Sequence, residues 1–245
     1  MKIQRKNPQA KLKQKKLKFG EHLQELKNRF LVWFTGFIVL SLIGYLLYQP
    51  ILNWLIVPLG GPLFYTSPVG ALSAVFGVSA LFGFILSLPI FFYELVMFLE
   101  PAFGTNPLKH ILVYILISFF LSLSGVLTAY YLIIPPTLQF LAKFSGGELH
   151  ALISTGDYFS FLTKYLLGFA ILFQFPLVMF IVGKFIKLKP KSLLKYWRHV
   201  IVASFIVSGF LTPTPDPVNQ TIMATPIVIL YLISVITLAF AQKLF

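Results

Sequence analysis

Long apolar runs separated by short polar segments constrain this chain more than any other feature. Six can be traced, over about 30–48, 69–99, 110–134, 158–182, 193–211 and 221–240. About 20 apolar residues make a helix long enough to cross bilayer hydrocarbon, where backbone polar groups must be satisfied within the helix itself or in a closed barrel. The 245 residues are 58% hydrophobic and only 11% charged, which leaves too little polar surface to coat a soluble globule of that size. The expected fold is all-α, a polytopic membrane protein with six transmembrane helices. Residues 1–18 form a basic tail, and residues 19–245 form one membrane domain without internal repeats. The apolar parts of the last two runs are short for a bilayer.

Charge sets the expected orientation. The formal net charge is +13, but the basic residues sit in short segments between apolar runs and build no polar domain, which argues against a nucleic-acid partner. Of the 20 Lys and Arg, ten lie up to Arg29, one is Lys109, six run from Lys184 to Arg198 and one is Lys243. Only Lys143 and Lys164 fall on the other side of a six-span path, so the positive-inside rule puts both termini in the cytoplasm. The tail resembles a signal-peptide n-region in charge, but the run after it is too long and lacks a small-residue cleavage site, so it is read as a retained span. Its lysines would also draw it to anionic lipid.

Prolines mark the expected breaks. Pro50 ends the first span, and the stretch to Gly70, with Pro58, Pro62, Pro68 and Gly60-Gly61, is expected to be an ordered, partly apolar loop at the far membrane face. Pro89 is the bending point of the second span, Pro135-Pro136 stops the third, and the turn from Thr212 to Pro217 ends the fifth. Asp157 is a candidate N-cap for the fourth.

Few residues are equipped for chemistry. Cysteine is absent, so there are no disulfides and no thiolate nucleophile or metal ligand. The four histidines, His22, His110, His150 and His199, are scattered without metal-ligand spacing. No phosphate-binding glycine loop or nucleophile elbow is present. An enzyme, a metal site and a cofactor are therefore not expected.

The most informative stretch is residues 19–29. Phe19, Leu23, Leu26, Phe30 and Trp33 recur at spacings of four and three and share one helical face. Glu21, Glu25 and Arg29 stack on the opposite face on successive turns. Either Glu25 pairs with Arg29 in a solvated entry to the first span, or the acidic pair awaits an external cation. Within the spans, Glu94 lies near the cytoplasmic end of the second, with a structural role expected. Gln174, deep in the fourth, needs hydrogen-bond partners from a neighbouring helix of this chain or from another subunit. Asp216 reads as a turn carboxylate capping the last span, with Gln220 one turn on.

These residues carry a resemblance. His22-Leu-Gln-Glu-Leu-Lys-Asn-Arg29, Pro89 with Phe92-Tyr93, Glu100-Pro-Ala-Phe103, Phe173-Gln-Phe-Pro176 and Leu211-Thr-Pro-Thr-Pro-Asp-Pro-Val-Asn-Gln220 occur in the order found in TatC, the large subunit of the twin-arginine translocase. The resemblance covers the chain from about Phe19 to its end. It implies a curved, glove-like arrangement of six helices in a bacterial cytoplasmic membrane, with a plastid thylakoid as the other possibility. It further implies a receptor for signal peptides bearing consecutive arginines. That receptor would associate with itself and recruit single-span TatA- and TatB-type subunits to export folded proteins, using the proton-motive force. Glu25 takes the family's position for a receptor carboxylate. The second such position falls on Pro107, which has no carboxylate, and Glu21 and Glu100 are the substitutes. Lys27 replaces an arginine common in the family. Gln174 sits at a position implicated in contact with partner subunits, and Asp216 and Gln220 match polar positions of the family. A secondary transporter of small solutes is the competing reading, but repeated halves and a charged midplane site are missing. A lipid-binding membrane scaffold is a third.

Overall fold

The computed structural model describes residues 8–64, 68–103, 111–143, 153–185, 190–212 and 216–244, with the side chains of the first helix described from Gly20 onward. Helix follows helix: α1 (Pro8–Leu46), α2 (Tyr48–Ile56), a 3₁₀ turn (Val57–Leu59), α3 (Pro68–Phe103), α4 (Ile111–Thr128), a π-helical turn (Ala129–Ile133), α5 (Ile134–Lys143), α6 (Thr155–Leu172), α7 (Phe175–Phe185), α8 (Pro190–Lys195), α9 (Trp197–Leu211) and α10 (Pro217–Leu244). Five stretches are long and apolar enough to cross a membrane: Gly20–Leu46, Val69–Phe98, Ile111–Ala142, Thr155–Gly183 and Pro217–Phe240. The fifth run of the sequence gives the shorter apolar helix Trp197–Phe210. The last span, expected to be short, is instead 24 residues long and starts at Pro217.

Helix α1 packs along α3, α3 on α4 and α6, and α10 on α7 and α9. The first pair is antiparallel. Arg29 meets Glu94, a side chain on Gly36 would meet Ile90, and one on Gly83 would meet Ser41, so one number falls as the other rises. The two backbones nearly touch at one end, where a Cβ on Gly83 would lie 2.7 Å from Ser41 Cα. At the other end Trp33 and Phe91 stand between the helices, ring edge to ring face, with centroids 5.5 Å apart.

Several expected breaks resolve differently. Pro50 does not end a helix but sits in the first turn of α2, where backbone N–H groups lack intrahelical partners and a missing donor is harmless. The described stretch after it, residues 51–64, runs helical to Ile56, turns through Val57–Leu59 and is tied to the rest of the fold. Leu55 is buried, Tyr130 donates its hydroxyl to Trp54 O, and Tyr158 donates to Leu55 O at 2.7 Å. Gly60 ends the 3₁₀ turn at φ 66°, a left-handed backbone that strains any residue with a Cβ. The helix of α3 is continuous across the buried Pro89.

Pro135-Pro136 does not stop the third span. The chain widens into a π turn, in which the Ile134 N–H donates to Ala129 O five residues back, and α5 then starts with both prolines in its first turn. The fourth span, by contrast, is interrupted. Pro176 has no N–H for Leu172 O and its ring crowds that carbonyl, so α6 ends at Leu172 and α7 begins at Phe175. Asp157 is not the N-cap of α6. Ser154 holds that position with extended backbone (φ −68°, ψ 136°), and Asp157 lies in the first turn, where a carboxylate still complements the helix dipole.

Candidate functional site

The site is assembled where α1 crosses α3. Helical spacing of three and four puts His22, Glu25 and Arg29 on one side of α1. Arg29 donates twice to Glu25 Oε1, from Nε at 3.1 Å and Nη2 at 2.7 Å. Its third contact leaves the helix. Nη1 donates to Glu94 Oε2 on α3 at 3.1 Å, across 65 residues of sequence. The His22 ring stacks on Phe98 of α3 with centroids 4.5 Å apart, and its Nδ1 stands 3.6 Å from Glu25 Oε2. Among the described residues, the ion pairs all converge on Arg29 and Glu25.

Burial is graded through this cluster. The Glu25 side chain is 31% exposed, Arg29 22% and Glu94 11%. Two carboxylates face one guanidinium, so with His22 neutral the cluster keeps one uncompensated negative charge, and Glu21 adds another one turn away in the open. Arg29 separates two hollows. One is open and polar, bounded by Glu21, Gln24, Glu25, Asn28 and Arg29. The other, about 60 Å³, is walled by Phe30, Trp33, Phe91, Glu94, Leu95 and Phe98.

The structure thus unites Glu25 with Arg29 as the spacing anticipated, and adds Glu94, whose part in this site the sequence did not show. Glu21 is exposed. Glu100 belongs to the last turn of α3 with its side chain outside the described residues, as is Pro107 altogether. No group of three or more metal-ligating side chains occurs among the described residues.

The other singled-out residues serve separate seams. Gln174 is 2% exposed and spends its amide on this chain: Oε1 accepts from Ser118 Oγ at 2.9 Å, while Nε2 donates to Ser118 O at 3.2 Å. Of the two sources of partners expected for it, this conformation uses a neighbouring helix, α4. Gln174→Leu removes the acceptor of the buried Ser118 hydroxyl and is expected to destabilise the fold by about 1–2 kcal/mol. Thermal unfolding of the purified protein in detergent checks this, and an unchanged midpoint would count against the seam. Asp216 caps α10 as anticipated, its Oδ2 accepting the Asn219 N–H at 3.0 Å, with Pro217 in the first helical position. Gln220 Nε2 donates to Phe205 O at 2.8 Å and so ties α10 to α9.

The model of the family described as Sec-independent protein translocase protein (TatC) matches residues 21–226. The chain belongs to the TatC family. It is 32% identical over 216 residues to the Sec-independent protein translocase protein TatC of Helicobacter pylori strain J99, covering 88% of this chain and 86% of that one. It is 31% identical to TatCd of Bacillus subtilis strain 168, with 91% of each chain covered. The crystal structure of the twin-arginine translocase receptor TatC in DDM superposes with a TM-score of 0.76 at 28% identity, over 88% of this chain and 98% of that one. The fold expected from the resemblance is thereby the observed one, that of a multi-pass membrane protein. Its function is that of a core subunit of the twin-arginine translocase, in a family of translocase subunits rather than enzymes. The solute-transporter reading finds no support in these relatives. A tatC-like protein of Gracilaria tenuistipitata var. liui is 28% identical over 232 residues.

Proposed function

We propose that this chain is the receptor for twin-arginine signal peptides in a bacterial cytoplasmic membrane, with both termini in the cytoplasm. Residues 20–29 then lie at the cytoplasmic face, where a signal peptide arrives before transport. The carrying observation is the α1–α3 crossing, at which two carboxylates share one guanidinium. A planar guanidinium matches a carboxylate with two parallel N–H bonds, whereas an ammonium is a point charge, so fixed carboxylates favour arginine over lysine. Glu25, the more exposed of the two, is the contact open to an incoming side chain. The single-span TatA- and TatB-type subunits are the partners of this reading, with Gln174 as the candidate contact and a further copy of the chain in the receptor complex. Transport draws on the proton-motive force, and the basic tail holds anionic lipid.

A twin-arginine peptide carrying a photoreactive group is expected to cross-link near Glu25 in membranes containing the full chain. Glu25→Ala should remove at least about 90% of that cross-link, as the loss of one charge-assisted pair implies, while the protein still inserts. Undiminished cross-linking in the inserted variant would refute the assignment of Glu25.

A further inference from the structure

We propose that Glu94 is the second peptide-binding carboxylate of this chain, and that Arg29 holds against it, in the unliganded protein, the place taken by one arginine of the incoming peptide. The inference deepens the receptor reading and rests on it. Pro107, where the second carboxylate was expected, cannot ion-pair. Glu94 reaches the cluster from a different helix, so a ligand held by Glu25 and Glu94 bridges α1 and α3.

Three features carry it. Arg29 grips its two acids unequally, with two N–H bonds to Oε1 of Glu25 and one to Glu94, so a second guanidinium can take Glu94 while Arg29 keeps Oε1 of Glu25 and Oε2 remains for the peptide. One guanidinium for two carboxylates leaves a deficit of one positive charge, and Glu94, the more buried acid, is the one that water relieves least. One of the residues that wall the hollow beside Glu94 also carries an orphan donor. Trp33 Nε1 is buried and has no hydrogen-bond partner among the described residues, although its ring lines the same wall as Glu94, Phe91 and Phe98. An unpaired buried donor is costly and calls for an acceptor. The chain of an arginine-bearing peptide supplies both complements, a guanidinium for Glu94 and a backbone carbonyl for Trp33, while the aliphatic stem of the arginine lies on Leu95 and Phe98.

The test uses the full chain in lipid nanodiscs with four synthetic peptides, in which the two consecutive arginines are kept or replaced singly or together by lysine. Wild-type protein is expected to bind each singly replaced peptide about tenfold more weakly. In Glu94→Gln, replacement at one of the two positions should cost nothing further, while replacement at the other costs the same as in wild type. Glu94→Asp should restore dependence on both. If Glu94→Gln weakens all four peptides alike, or discriminates at both positions as before, Glu94 only supports the fold and the inference is overturned. Wild-type protein that does not distinguish arginine from lysine overturns the receptor reading itself. A measurement that leaves Glu94 in place covers poor insertion of the variant. The chain has no cysteine, so Phe91→Cys provides a single thiol at the mouth of the hollow. A peptide whose cysteine, next to its arginines, is activated as a 2-thiopyridyl mixed disulfide should exchange onto that thiol, releasing 2-thiopyridone, about tenfold faster than its lysine counterpart, and equal rates would also overturn the inference.

Discussion

Gly125→Leu is expected to lower stability by about 3 kcal/mol or more. Gly125 lies on α4 against α6, and even a methyl group there would stand 2.5 Å from Phe169 O and 3.1 Å from Ala170 Cα. These neighbours are backbone, so no rotamer change relieves the clash and the helices must part. Parting them opens the main buried cluster, in which Val126 and Ala129 pack beside Leu166, Phe169 and Ala170. In a membrane, close backbone approach is itself a main source of helix attraction, since lipid offers side chains as apolar a surface as the protein does. Thermal unfolding in detergent and the amount of inserted protein would report the loss. Gly77→Ala is the control, because a Cβ at Gly77 meets nothing within 4 Å, and the exchange should be neutral or stabilising by up to about 1 kcal/mol. Wild-type stability in Gly125→Leu would show that α4 and α6 do not approach so closely.

Arg29→Ala carries the second large effect. Removing the guanidinium leaves Glu25 and Glu94 facing each other without a cation. Breaking one partner from a fully buried pair costs about 3–5 kcal/mol, and because Glu25 is 31% exposed to screening water the expected loss here is nearer 2–3 kcal/mol. Glu94→Gln in the same chain removes the less exposed of the two stranded charges and should recover more than half of it, so the two substitutions are strongly non-additive. A double-mutant cycle on the unfolding midpoint measures this directly. Additive losses would mean that Arg29 and Glu94 are not coupled, and would remove the bridge between α1 and α3 from the account.

How much of this was legible beforehand varies with the physics involved. Apolar run length announced the spans, because membrane hydrocarbon admits little else. Prolines were legible as irregularities but not by outcome. Pro50 and Pro135-Pro136 fall in first turns where a missing N–H costs nothing, while Pro176 breaks its span, and only the hydrogen-bond path through the neighbouring residues separates the two cases. Asp216 was readable as a cap because capping is local, its acceptor and the Asn219 N–H lying three residues apart.

The 19–29 stretch marks the boundary most sharply. By itself the sequence determined that Glu25 and Arg29 share a helix face, because 3.6 residues per turn brings positions four apart together in any α-helix. It also determined the family, through motifs spread over most of the chain. Only the tertiary structure decided that Glu94 completes the cluster and that Gln174 turns inward to Ser118. Both depend on how far one helix slides along another, and that register is set by where small residues let backbones close in, at Gly83 against Ser41 and Gly125 against Phe169. No spacing along one helix encodes the position of its neighbour, so a contact across 65 residues becomes visible only once the helices are packed.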